Sequence, residues 1–203
     1  MMEITAETIE RAQKVLAGIP KGAERAFSNA INRALAHTKS QAFKEARKVY
    51  AVNLKDLNSA TATRVQKAST GNTVGYVLFS GVKIPLFKFN LSLGSEKKSK
   101  HIKAGLMKGS WTAFDHAFIA QMDSGHIGIF ERTGGQGIKS RLAKTKDGKG
   151  TKHTEKISQI MGLSGAQMIQ NAEVTDRLSE DAQKKFEQRV EHEIDRILNG
   201  YGG

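Results

Sequence analysis

Cysteine is absent from the 203 residues, which removes disulfides, thiolate zinc sites and cysteine nucleophiles together and suits a chain assembled in a reducing cytoplasm. No apolar run approaches the roughly 20 residues of a membrane span, and the opening MMEITAETIERAQ has no basic-then-apolar signal pattern. The expectation is a soluble, intracellular protein with no membrane partner. Proline occurs only as Pro20 and Pro85. Acids are scarce too: 20 Asp+Glu face 32 Lys+Arg, a formal charge of +12 that favours acidic surfaces or nucleic acid as partners. The length admits one domain with a moderate core and excludes a large multidomain enzyme. Wholesale disorder is excluded by a hydrophobic content of 38% with nine Phe, three Tyr and one Trp.

Catalytic motifs are missing as well. A phosphate-cradling loop needs Gly, four residues, then Gly-Lys-Ser/Thr, and neither the stretch from Gly134 to Ser140 nor that from Asp147 to Thr151 has this spacing. There is no Gly-x-Ser-x-Gly elbow and no His-Glu-x-x-His. Asp115, His116, Asp123, His126 and Glu131 are the one cluster with the residue types for metal binding or acid–base work. Its spacing matches no single helix face, so turn and surface roles are favoured. A non-enzyme without a cofactor or metal is expected, and a hydrolase built on 115–131 is the remote reading.

Charge is unevenly spread. From Glu173 to Arg196 eight acids and five bases give −3, so the chain before it carries +15. Lys97, Lys98, Lys100, Lys103 and Lys108 form one basic cluster. A second, glycine-interleaved, runs through Lys139, Arg141, Lys144, Lys146, Lys149 and Lys152 within 132–156 and reads as a loop. Such side chains neutralise phosphates without reading sequence, and they meet acidic partner proteins equally well.

The pattern predicts an α+β chain: a small antiparallel sheet, a long N-terminal helical region and a C-terminal amphipathic helix. Thr5 caps a short first helix, flanked by Ile4 and Ile9 and stopped at Gly18. From Ala23 to Thr70 neither Gly nor Pro intervenes, and Phe27, Ile31, Leu35, Ala42, Ala46 and Val49 recur at helical spacing up to about Tyr50. That helix, about 45 Å long if unbroken for about 30 residues, needs a partner. TVGYVLFSGV is apolar on both faces, as for a buried strand, and Phe87, Phe89, Leu91 and Leu93 alternate with polar residues as a second strand entered at Pro85. AFIAQM and HIGIFER flank Asp123-Ser124-Gly125 as a β-hairpin. Val174, Leu178, Ala182, Phe186, Val190, Ile194 and Leu198 make the last helix, with Leu178, Phe186, Val190, Ile194 and Leu198 as a helix interface and Asn199-Gly200 as its stop. The expected organisation is a helical region 1–60, a β core 61–132, a basic connector 133–172 and a terminal helix 173–203, forming one domain overall.

The stretch from Lys83 to Phe89, the hairpin from Ala117 to Arg132 with Asp123, Ser124, Gly125, His126, Gly128 and Phe130, and MGLSGAQM at 161–168 resemble the minor tail protein Z family of tailed phages and prophages. The order of elements resembles that family over most of the chain. The resemblance implies a structural virion protein completing the head-proximal end of the tail, without catalysis. It implies a hexameric ring of copies near the DNA path, assembled in the host cytoplasm, with the tail terminator and neck or tail-tube proteins as partners. The other reading left by the charge is a non-specific DNA-binding accessory protein.

Overall fold

The computed structural model describes residues 6–93, 102–133, 141–144, 151–154 and 156–200, with backbone alone for 93, 141–144 and 151–154. Thr5 and Ile4, the expected cap and staple of the first helix, lie outside them. That helix, α1, runs Ala6–Val15, and α2 runs Gly22–Val49. A short α3 follows at Leu54–Ala60, its first turn capped by Asn53, whose side chain accepts from the Asp56 N–H at 2.8 Å. At the other end of the chain α4, Gly165–Ile169, begins with a capping box of Ser164 and Gln167, and α5 spans Ala172–Leu198 from an Asn171 cap.

The partner that α2 needs is α5, which packs along it. On α2 the alanines spaced by four, Ala26, Ala30, Ala34, Ala42 and Ala46, are all fully buried, the first three in the cluster that holds Phe186, Val190 and Ile194 and the last two in the one that holds Val174 and Leu178. Small side chains there leave room for the larger ridge of α5, where Val174, Leu178, Phe186, Val190 and Ile194 are buried. Thr38 holds the vacant step of the alanine row and donates its hydroxyl to the Ala34 carbonyl at 3.0 Å. Polar links also join the two helices. Asn29 donates to the buried Glu193 at 3.2 Å, and His37 lies 2.7 Å from Asp181. Within α5, Glu173 pairs with Arg177 one turn on at 2.7 Å, while Asp181 turns to His37.

Leu198 corrects the apolar stripe: it is 49% exposed and Ile197 is buried in its place. A strict spacing of four advances about 40° per step around a 3.6-residue turn, so by the last turn the core-facing position has moved back one residue.

The β structure is five small antiparallel sheets among the described residues, in place of the one sheet expected. β1, Thr61–Gln66, pairs with β2, Tyr76–Gly81, from Thr61 opposite Gly81 to Gln66 opposite Tyr76. Asn32 of α2 fastens their connection, exchanging two 2.9 Å hydrogen bonds with the backbone of Ala68. This ribbon corrects the expectation of a strand buried on both faces. Helices cover one side only, so Val77 and Phe79 pack inward while Tyr76 and Leu78 stand 48% and 52% exposed.

The second expected strand is broken. β3, Lys83–Pro85, ends at the proline, a 3₁₀ turn takes Leu86–Lys88, and β4 resumes at Asn90–Leu93. Leu86 is pulled out of the alternation because it is buried with Ile129 and Ala104, and its N–H bonds the Ile160 carbonyl at 3.0 Å. β4 pairs with β5, Ile102–Gly105, which pairs with β6, Thr112–Phe114. The hairpin forms as expected: β7, Ala117–Gln121, and β8, Ile127–Arg132, are in register with Gln121 opposite Ile127. The basic run is not all loop, since the glycine-free tetrads on either side of Gly148 pair as β9, Arg141–Lys144, and β10, Thr151–Thr154. β11, Ile157–Gln159, then adds to β8, and β12, Met161–Ser164, returns to β3.

Three buried clusters result: one between α1, α2 and the second half of α5, one where the end of α2 meets α3, α4 and the start of α5, and one under the 4–5–6 and 7–8–11 sheets. Gly165 sits at the second of these, where an added Cβ would come within 1.9 Å of the Thr61 hydroxyl.

Two substitutions test this packing by thermal melting. Ala34→Leu overfills the α2–α5 seam and is expected to cost about 1–3 kcal/mol, whereas Ala36→Leu, on the exposed side of the same turn, is expected to stay within about 0.5 kcal/mol. Equal melting temperatures for the two variants would refute the alanine-row account. Gly165→Ala is expected to lower stability by a similar 1–3 kcal/mol, about as much as other overpacked sites, and Thr61→Ala in the same chain should recover part of the loss.

Candidate functional site

The residue types for catalysis do not meet. Asp115 and His116 occupy the turn before β7, and Glu131 is opposite Ala117 at that same end; Asp123 and His126 lie in the turn after β7. Five strand residues separate the two ends, about 15 Å at the usual rise. Among the described residues no group of three or more His, Asp or Glu is placed to hold a metal ion. The turn residues instead build the hairpin. Gly125 takes φ +80°, its N–H bonds the Met122 carbonyl at 2.8 Å, and the Met122 N–H bonds the His126 carbonyl at 2.8 Å. The His126 ring meets Phe130 edge-on at 6.5 Å, Phe118 lies 6.3 Å from Phe130, and the Arg132 guanidinium stands 5.1 Å over Phe118. Asp123 and Ser124 are exposed at the tip; Gly128 and Phe130 are buried.

The helix-interface residues are occupied within the chain. Phe186, Val190 and Ile194 close the first cluster and Leu178 the second, which leaves Leu198 as the member open to solvent. Burying a side chain such as Phe186 stabilises by about 1.5–3 kcal/mol, so these residues hold the fold. The face of α5 turned to solvent is acidic: Glu173, Asp176, Glu180, Glu187, Glu191 and Asp195 are exposed there with only Arg177 and Lys184 against them. Glu191 binds Arg11 of α1 at 3.0 Å, an exposed pair that adds about 0–1 kcal/mol.

Of the basic candidates, Lys97, Lys98, Lys100, Lys139, Lys146 and Lys149 lie outside the described residues, and Arg141, Lys144 and Lys152 are described in backbone only. Lys103 is exposed on β5 between the buried Ile102 and Ala104, and Lys108 is exposed in the turn that follows. That turn is tied to the end of α2. The Lys108 N–H bonds the Val49 carbonyl at 2.8 Å, and the Ala51 N–H bonds the Leu106 carbonyl at 2.9 Å. The closure opens a cleft of about 350 Å³ whose walls carry Arg47, Lys88 and Lys108. Arg47 and Lys88 were not legible as partners of Lys108, because the three lie far apart in sequence and only the packing of three distant segments joins them.

Among curated proteins and among solved structures, nothing matches the chain. The family model of prophage minor tail protein Z (GPZ) matches residues 7–201, nearly the whole of it. This family is one of structural proteins of the phage tail, which fits surfaces of charge and packing better than a reaction centre. No helix among the described residues is long and apolar enough to cross a membrane. The chain belongs to the prophage minor tail protein Z family.

Proposed function

We propose that this tail protein completes the head-proximal end of the tail as a ring of its own copies around the axial channel, beside the DNA path. The observation that carries the ring is the separation of charge on one chain: an acidic outer face on α5 and a surplus of +15 before Glu173. The acidic face of one copy would meet basic surface on the next, and such head-to-tail contacts either close as rings or run on as filaments. Six copies follow from the six-fold symmetry that the family resemblance implies for the tail. The neighbours along the axis are the tail terminator and the neck or tail-tube proteins, met in the host cytoplasm during assembly. Basic side chains that remain free on the ring face the genomic DNA, holding it by charge without reading its sequence.

Light scattering of the full chain tests this, across protein concentration and with purified tails that lack the protein. The expected result is a mass of six chains of 22.2 kDa, or a monomer that becomes a ring only on those tails. Glu180→Lys with Glu187→Lys, both on the exposed acidic face, is expected to leave monomers, and raising salt to about 1 M, where screening reaches about 3 Å, should do the same to the unaltered chain. A persistent monomer that ignores tails and binds DNA would overturn the ring and favour the accessory DNA-binding protein.

A further inference from the structure

We infer that the cleft between the end of α2 and the turn after β5 is the phosphodiester-binding site of this chain, with Arg47, Lys88 and Lys108 as its cations. The inference rests on the proposed position beside DNA and names the residues that meet the backbone.

The floor of the cleft is rigid. Tyr50, Ala51 and Val52 leave α2 as an extended segment that bridges Met107 on one side and Phe89 on the other. Tyr50, Val52 and Phe89 are only 4–6% exposed, so the backbone under the cleft is held by buried apolar packing on both flanks. Each cation then comes from a different segment: Arg47 from the last turn of α2, Lys88 from the 3₁₀ turn, Lys108 from the β5–β6 turn. All three side chains are exposed. Holding three like charges around one cleft costs energy that an anion repays.

The internal neutralisation is incomplete. Arg47 spends its Nε on the Val52 carbonyl at 3.3 Å, which fixes the guanidinium at the rim with its terminal nitrogens still to be used. Lys88 lies 3.3 Å from Asp56, whose carboxylate also accepts from the Asn53 side chain and is therefore shared. One carboxylate beside three cations leaves +2. Two amides line the walls, Asn90 and an Asn53 already engaged with Asp56, and the aromatic residues there are part of the buried floor. Such a cleft offers donors and positive charge with no platform for a base or a nucleoside. It therefore suits the one group that repeats identically along DNA, the phosphodiester, and gives binding that is indifferent to sequence and steep in salt.

The test is fluorescence anisotropy of a labelled mixed-sequence DNA duplex with the full chain over a range of salt. Lys88→Gln with Lys108→Gln is compared with Lys14→Gln with Lys39→Gln, an equal loss of charge at exposed sites on α1 and α2. Each phosphate contact contributes about 0.9 to the slope of log K against log salt, so the cleft variant is expected to lose about 1.8 of slope and about tenfold in affinity at low salt. The control is expected to change by less than about twofold. Melting temperatures check the fold, and if the double variant melts early, Lys108→Gln alone should still remove about 0.9 of slope. If both variants bind alike, the cleft assignment fails while the position beside DNA stands on the other lysines. If the unaltered chain binds no duplex at all, both fail. If the cleft variant binds duplex normally but no longer forms the ring, the cleft belongs to an acidic protein neighbour and the phosphodiester assignment is overturned.

Discussion

A row of alanines sets how closely the two long helices approach, and the placement of every other element follows from that contact. Ala26, Ala30, Ala34, Ala42 and Ala46 have no exposed surface, and they share their buried clusters with the large apolar side chains of α5. Larger residues would add apolar area but hold the helices apart, and the area gained would be set against lost close packing along the seam. The polar links placed at intervals along the seam, Asn29 with Glu193 and His37 with Asp181, fix the register that alanine alone leaves loose, because a slip of one turn would part the buried Glu193 from Asn29 and leave it only Arg196 of its own helix at 2.8 Å.

Both sheet regions hang from this pair. α2 ends where Tyr50 turns to the extended conformation and becomes the strip between Met107 and Phe89, so the axis of one helix fixes where the 4–5–6 sheet begins. α5 begins two residues after α4, and α4 is fastened by its capping box and by Gly165 lying against Thr61 at the start of the ribbon. The chain thus leaves the helical pair by α2 and re-enters it by α5, and everything between is a long excursion of short strands. Short strands in separate two- and three-stranded sheets are weak alone, and the 1–2, 3–12, 4–5–6 and 7–8–11 sheets each pack residues into the buried clusters.

The sequence shows its long elements clearly because they carry a period. α2 and α5 announce themselves through repeats of apolar residues over 27 or 28 positions, and the 117–132 hairpin through alternation around Asp-Ser-Gly. The alanine row was harder to see. Alanine favours helix in any setting and does not by its type say which face is buried, so Phe27, Ile31 and Leu35 drew the eye while Ala26, Ala30 and Ala34 made the seam. β1 was hidden for the opposite reason: TATRVQ is mostly polar, and it pairs because β2 needs a partner and Asn32 holds their connection to α2. The 3₁₀ turn at Leu86 is tertiary in origin, since Leu86 is drawn toward Ile129 and Ala104 out of an otherwise regular alternation.

The same limit explains the sites. Local motif reasoning finds no phosphate loop, nucleophile elbow or His-Glu-x-x-His pattern in the sequence. It located charge by runs, and so found the lysines of 97–108 and 139–152 while passing over Arg47 and Lys88. Three cations brought from distant segments to one cleft act together on the neighbouring phosphates that enter it, and the backbone that carries them is set before the phosphates arrive. The free energy of gathering them is supplied by the buried floor of Tyr50, Val52 and Phe89, so the part of the surface best suited to hold a phosphate is set by apolar residues that never touch it.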